Sequence, residues 1–258
     1  MKLRAKNIII IGGGSGIGLA TAQLLLENGA DSVVIAGRTK TKLETAKNSL
    51  LYTEKQTVFT EEYDITNLSG HREWFNRLSQ LIGKIPDGLV ISSGINYGAG
   101  NWHGFDITES NYDKVMNINL KGPFFMIRNF SNYIYENKSK ANICVVSSIS
   151  AHRDLLSVYQ VTKNALSGIV HAYGKHLFQR GIILNCVEPG STDTDMMPQL
   201  KKFTDGIRDG EEWKDNAIKR VIRPKEIADV ICYLMSDNSE VLSGTCLLAG
   251  GGCRSIPR

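Results

Sequence analysis

The chain has 258 residues, 42% hydrophobic and 22% charged, which suffices for a sizeable core and rules out an intrinsically disordered chain. Thirty basic residues against 26 acidic leave a formal charge of +4 spread along the sequence, and no clustered Lys/Arg patch marks a nucleic-acid partner. The longest wholly apolar run near the start, Ile8–Ile11, is too short for a signal-peptide core or a membrane span. Five scattered cysteines include no CxxC pair, and the five histidines show no metal-ligand spacing. These features lead us to expect a cytoplasmic protein with reduced core thiols, no metal site, and no membrane or nucleic-acid partner.

In chain order, strand Asn7–Ile11 leads into helix Ile17–Asn28, Ser32–Ala36 into Thr39–Leu51, and Thr57–Tyr63 into Leu68–Ile82. Strand Gly88–Ile91 precedes helix Glu109–Glu136, Asn142–Ser147 precedes Val158–Arg180, and Ile182–Val187 precedes Pro224–Met235, with Thr245–Leu248 closing the pattern. Runs such as Ile8–Ile11 and Ile143–Val146 are apolar on both faces, as parallel strands covered by helices on each side must be. The expected fold is α/β: a single doubly wound Rossmann-type domain over residues 1–258, with a parallel seven-stranded sheet and helices on both faces. Between Asp195 and Ile222 the alternation lapses, while Met196, Met197, Leu200, Phe203, Ile207 and Trp213 recur at roughly helical spacing. The segment 195–222 is positioned to act as a substrate-covering lid, the plainer alternative being a surface helix pair packed on the core.

The first chemical signal is the turn after the opening strand, Gly12-Gly-Gly14-Ser15-Gly16-Ile17-Gly18, running into a helix. Glycines permit positive φ and close backbone approach, and a helix amino terminus offers unpaired N–H groups to a pyrophosphate. The second signal closes the next strand, where a dinucleotide-binding fold would place a carboxylate on the ribose hydroxyls. Here Gly37 is followed by Arg38 and Thr39. A guanidinium can hold a 2′-phosphate bidentately, with support from Thr39 or Lys42, so NADP(H) is favoured over NAD(H). An ordinary solvated loop arginine is the alternative.

The third signal is Tyr159-Gln-Val-Thr-Lys163, eleven positions beyond Ser148. Tyr159 and Lys163 share one helical face at i and i+4. A phenol with an ordinary pKa near 10 needs a neighbouring cation to serve as a base at neutral pH, and a lysine one turn away supplies it.

With these residues in order the chain resembles the short-chain dehydrogenase/reductase family in its compact form, from Lys6 to Gly252. The resemblance is carried by Gly12, Gly16 and Gly18; Asp64-Ile65; Asn119 in Val115-Met-Asn-Ile-Asn119-Leu-Lys-Gly122; Ser148, Tyr159 and Lys163; Asn185-Cys-Val-Glu-Pro189-Gly190; Thr194; and Gly250-Gly-Gly252. It implies that Asp64 and Ile65 hold the adenine, that Ser93 and Gly94 line the cofactor cleft, and that Pro189, Gly190, Thr192 and Thr194 seat the carboxamide end. It also implies catalytic roles. Asn119 positions a lysine-bound water, Ser148 holds the substrate oxygen, Tyr159 moves the proton, and Lys163 binds the nicotinamide ribose while lowering the tyrosine pKa.

Three features depart from the family. Ile11 stands where a threonine is usual, and Ile91-Ser-Ser-Gly94 replaces Asn-Asn-Ala-Gly. Loss of both polar partners together can be nearly neutral, so this reads as structural variation. The Ser148–Tyr159 connection is about two residues short of the usual. Strand alignment favours Ser148 over Ser147 as the substrate-facing hydroxyl, and the spacing to Tyr159 leaves the choice open.

The expected activity is interconversion of a secondary alcohol and a ketone, the alternative being a dinucleotide-binding regulator or scaffold that has lost catalysis. An epimerase or dehydratase relative fits less well, because those chains are longer and space their glycines differently. Tyr97, Ser148, Ser150, Arg153 and Glu188 are candidate substrate contacts, with Ser93, Asn96 and His152 nearby, and this polar set points to a small polar substrate. His152 also reads as a plain loop histidine, and His171 and His176 as surface or subunit-contact residues. The resemblance further implies a homotetramer or homodimer built on helices Glu109–Glu136 and Val158–Arg180, where Phe124, Phe125, Ile127 and Phe130 exceed what one core-facing stripe needs.

Overall fold

The computed structural model describes Leu3 and residues 6–96, 107–152, 157–196 and 217–252. Seven strands, β1 (Asn7–Ile11), β2 (Ser32–Gly37), β3 (Thr57–Glu62), β4 (Gly88–Ile91), β5 (Ala141–Val146), β6 (Ile182–Pro189) and β7 (Cys246–Ala249), form one sheet in the order β3-β2-β1-β4-β5-β6-β7. Every pairing is parallel. All residues of β1, β4, β5 and β6 are buried, so their backbone groups must find partners in the neighbouring strands.

The helices are α1 (Gly16–Glu27), α2 (Lys40–Ser49), α3 (His71–Ile82), α4 (Glu109–Met116), α5 (Gly122–Glu136), α6 (Val158–Phe178) and α7 (Pro224–Leu234). Strand alternation divides the core in two. Ile8, Ile10, Val33, Ile35, Val90 and Val187 meet α1, α2 and α7 on one face. Ile9, Ile11, Val34, Leu89, Ile91, Ile143 and Cys186 meet α3, α5 and α6 on the other. Among the described residues no helix is long and apolar enough to cross a membrane.

Three differences from the sequence expectation matter for the site. The helix expected over Glu109–Glu136 is divided by a π-helical turn, Asn117–Lys121, which holds Asn119 with its side chain buried. Such wider turns recur at functional positions in helices. Strand β6 runs to Pro189, beyond the expected Val187, because its last residues pair with β7 in the register Glu188↔Leu248 and Pro189↔Ala249. Glu188 therefore lies inside the sheet and not in a rim loop. Of the proposed lid, residues 197–216 lie outside the described residues, including Met197, Leu200, Phe203, Ile207 and Trp213. Its flanks meet in a parallel bridge, Thr192↔Ile222, at the carboxyl end of β6.

The two departures at β1 and β4 are accommodated by backbone. Ile11 is 2% exposed and pairs with Ile91 across the sheet, and Ser92 N–H donates to the Ile11 carbonyl at 2.9 Å. Helix α6 approaches the loop before β7 so closely that a Cβ built on Gly174 would lie 2.2 Å from Gly244 Cα. Gly174→Ala is expected to destabilise the fold by at least about 2 kcal/mol in urea unfolding. Gly168→Ala on the same helix, where an added Cβ meets nothing within 4 Å, is the control, neutral or stabilising by up to about 1 kcal/mol.

Candidate active site

Parallel strands bring the loops after β1, β2, β3, β4, β5 and β6 to one edge, and the order reverses between β1 and β4. Open α/β sheets form their binding crevice at such a switch point. The glycine turn lies there. Gly12 has φ +84°, and a Cβ on it would fall 2.8 Å from Ser93 N; one on Gly18 would fall 2.2 Å from the Gly12 carbonyl oxygen. Only hydrogens at both positions let the turn nest between α1 and the β4 loop. Gly14 packs toward Leu43, and Gly16, at φ +52°, faces the Thr194 methyl. Ser15 caps α1 without a side-chain bond, and Ile17 follows in its first turn.

Arg38 and Thr39 are exposed at the end of β2, and Lys42 Nζ donates to Asp195 at 3.1 Å across the mouth of the cleft. Asp64 accepts from the N–H and hydroxyl of Thr66 at 2.9 and 2.8 Å, which fixes the loop after β3. Ile65 is buried beneath Gly122. After β4, Ser93 Oγ is buried with no hydrogen-bond partner among the described residues. A Cβ on Gly94 would project toward Asn119 Oδ1, Lys163 Nζ and Met196 Cε at 3.6–3.7 Å. Across the cleft, Gly190 N–H donates to Ala249 at 3.0 Å and the Thr192 hydroxyl donates to the Gly190 carbonyl at 2.9 Å. An orphaned hydroxyl and several side-chain-free glycine faces along one groove fit a dinucleotide.

The remaining polar residues converge beside Gly94. Lys163, 3% exposed, donates from Nζ to the Val146 carbonyl at 2.9 Å and lies 5.5 Å from the Tyr159 ring centre. Tyr159 sits beside Ser148, whose Oγ accepts the Ser150 N–H at 3.1 Å. Against the expectation of a tyrosine pKa lowered by Lys163, burial pushes the Tyr159 phenol above its ordinary range, and the Ser148 hydroxyl pulls it only part of the way back. Asn119 clamps Ile95 from both sides, accepting from its N–H at 2.9 Å and donating to its carbonyl at 2.8 Å. Ser147 turns away from the cleft, donating to the Lys163 carbonyl at 3.0 Å, so the hydroxyl beside the tyrosine belongs to Ser148.

The substrate contacts expected from sequence are only partly assembled. Tyr97 and Arg153 lie outside the described residues. Ser150 stays beside Ser148 at the cleft. Glu188 does not face substrate. It is 2% exposed, with one oxygen 2.7 Å from Ser167 Oγ and the other 2.7 Å from His152 Nε2, because the extended β6 points it at α6. His152 is thereby tied to the sheet. His171 and His176 are exposed on α6, with His171 Nδ1 2.8 Å from the Gly244 carbonyl. Ile127 and Phe130 face the core, leaving Phe124 and Phe125 half-buried on the outer surface.

Two participants escaped the sequence reading. Thr162 donates to the Tyr159 carbonyl at 2.6 Å and lies 3.4 Å from Asn119 Nδ2, linking the π-turn to α6. Ser167 follows Lys163 by four residues, and that spacing was the available signal that both share one face of α6.

Burial drives the Lys163 ammonium down from 10.5 to about 8. Between those values the unfolded chain binds more protons than the folded one, so stability rises with pH there, by up to about 1.4 kcal/mol per unit. Above pH 10 the raised tyrosine acts in the opposite sense. Urea unfolding of the protein without cofactor is expected to show the rise between pH 8 and about 10, and Lys163→Met to flatten it.

A sequence profile described as enoyl-(acyl carrier protein) reductase, of the short-chain dehydrogenase/reductase group, matches residues 12–254. The chain is 27% identical to chanoclavine-I dehydrogenase of Aspergillus fumigatus over 256 residues, covering 96% of this chain and 97% of the relative. It is 27% identical to L-rhamnose 1-dehydrogenase (NADP(+)) of Thermoplasma acidophilum, covering 98% and 97%. A crystal structure of a short chain dehydrogenase from Bacillus anthracis superposes with a TM-score of 0.82 at 26% identity, covering 95% of this chain and 94% of that one. The ordered glycine turn, the Ser148–Tyr159–Lys163 cluster and the seven-stranded parallel sheet agree with these matches: the chain belongs to the short-chain dehydrogenase/reductase family of NAD(P)-dependent oxidoreductases.

Proposed function

We propose that the protein interconverts a secondary alcohol and a ketone on a small polar substrate, with NADP(H) preferred over NAD(H). The observation that carries this reading is the convergence of Ser148, Tyr159 and Lys163, whose Nζ lies 5.5 Å from the tyrosine ring, at the carboxyl edge of the sheet. A regulator without catalysis has no chemical need for that cluster.

The turn Gly12–Gly18, Asp64, Ile65, Ser93, Gly94 and the Pro189–Thr194 segment would hold the dinucleotide. A nicotinamide, when bound, supplies or takes the hydride. Ser148 holds the substrate oxygen, its Oγ fixed by the Ser150 N–H. Tyr159 moves the proton. Its raised pKa keeps the phenol protonated, suited to donating to a ketone, and Lys163 Nζ, 5.5 Å from the ring, is the cation at hand for the reverse direction. Asn119 ties the β4 loop to the π-turn through its two bonds to Ile95, lies 3.4 Å from Thr162 on α6, and so holds the cleft wall facing Lys163.

The cofactor preference rests on Arg38 and Thr39 standing where a ribose-binding carboxylate would repel a 2′-phosphate. The relative named for L-rhamnose carries NADP(+) in its name, in the same sense. The polar substrate class rests on Ser148 and Ser150, Glu188 being committed elsewhere. The relatives' names, one for chanoclavine-I and one for L-rhamnose, span very different alcohols. Buried thiols at Cys144, Cys186 and Cys232 fit a reducing compartment such as the cytoplasm.

An apolar groove of about 440 Å³ between the π-turn, α5 and α6, lined by Leu120, Phe124, Phe125 and Ile169, is the surface on which we place a homodimer or homotetramer contact. Light scattering at micromolar concentration is expected to give an oligomer, and Phe124→Lys to dissociate it.

The deciding experiment is a panel of ketones and alcohols assayed with both cofactors by absorbance of the reduced form. Turnover on polar members is expected, and Tyr159→Phe should remove most of it while leaving cofactor affinity nearly intact. NADPH should bind at least about tenfold more tightly than NADH, about 1.4 kcal/mol, and Arg38→Ala should erase the difference. Equal dissociation constants in the wild type would exclude the cofactor assignment, and full turnover by Tyr159→Phe the mechanism.

A further inference from the structure

Glu188 is a buried carboxylate that the chemistry above does not use. Glu188 shares one face of β6 with Cys186, and the Cys186 and Cys246 sulfurs both lie within 4.8 Å of one of its oxygens. The Cys186 thiol is pushed up by burial first, then by its neighbours, Cys246 ahead of Cys144 and Glu188. The ring nitrogen Glu188 reaches is His152 Nε2, at 2.7 Å. A carboxylate removed from water is costly unless paired, so the residue's placement in the sheet and the conformation of its partner are coupled.

That partner closes the short turn Ile149–His152, which begins one residue after Ser148. Within the turn the Ala151 N–H donates to the Ser148 carbonyl at 3.0 Å, and Asn164 on α6 donates to the Ala151 carbonyl at 2.9 Å. The other oxygen of Glu188 accepts from Ser167, whose Oγ lies 3.0 Å from Ser147 Oγ and 3.1 Å from the Lys163 carbonyl. A single side chain thus joins the turn that follows Ser148 to the helix that presents Tyr159 and Lys163.

We propose that Glu188 is a positioning residue for the reaction: through His152 it fixes the turn behind Ser148, and through Ser167 the adjoining turns of α6, so that Ser148 and Tyr159 stay side by side. It touches neither substrate nor cofactor. The kinetic consequence rests on the oxidoreductase reading above; the structural one does not.

The test replaces the carboxylate with an apolar side chain of similar volume. Glu188→Met removes the buried charge without opening a cavity, and such exchanges often preserve or raise stability. Amide hydrogen exchange on the protein without cofactor is expected to speed up at least about tenfold at Ser150 and Ala151, with β6 and the rest of the sheet unchanged. On whichever substrate the panel yields, kcat should fall at least about tenfold while the NADPH dissociation constant stays within about twofold. Adding His152→Ala to Glu188→Met should change neither readout further, because the pair acts as one unit. Exchange in the turn within about twofold of wild type would overturn the proposal whether or not a substrate is found, as would faster exchange spread evenly over the whole chain. Loosened exchange with unaltered kcat would overturn the kinetic half and leave the oxidoreductase reading standing, since that depends on Tyr159→Phe.

Discussion

Parallel pairing is the constraint from which the rest follows. Seven strands running the same way must each return by a helix, and the helices seal both faces against water. Chain reversals therefore gather at two edges, and at the carboxyl edge the loops after β1 and β4 diverge to opposite sides of the sheet. That divergence opens the crevice. The contact of Gly12 with the Ser93 backbone keeps it narrow, since any larger side chain would wedge the two loops apart.

The chemistry is then mounted on a single helix face and one strand end. Tyr159, Lys163 and Ser167 follow at intervals of four along α6, a stripe that winds from the cleft into the protein. The first meets Ser148, the second the end of β5, the third the carboxylate on β6. Reactivity and anchorage are thus neighbours on the same rod. On the other wall, the π-turn rotates Asn119 inward and spends both ends of its amide on the Ile95 backbone.

What could be read from the residues alone was whatever is encoded locally. The glycine turn, the strand–helix alternation and the i, i+4 relation of Tyr159 and Lys163 all lie within a few residues of one another. The π-turn was not legible, because its apolar spacing is that of an ordinary helix and the extra residue per turn leaves no compositional trace. Glu188 was misplaced for a different reason. Where β6 stops is decided by its pairing with β7, some sixty positions later, and a glutamate before a proline looks like a loop residue until that partner is in place. The choice between Ser147 and Ser148 was of the same kind, resolved only when Ser147 meets the Lys163 carbonyl across the fold.

The bridge between Thr192 and Ile222 carries an evolutionary consequence. The chain leaves the sheet and comes back to it at one pinned point, so the strands on either side are held in register independently of how long the connection is. Doubling such a loop costs only about 0.6 kcal/mol in closure entropy. Descendants of this chain can therefore lengthen or shorten the connection between Met196 and Ala217 while strand register, cofactor groove and proton-transfer group are inherited intact.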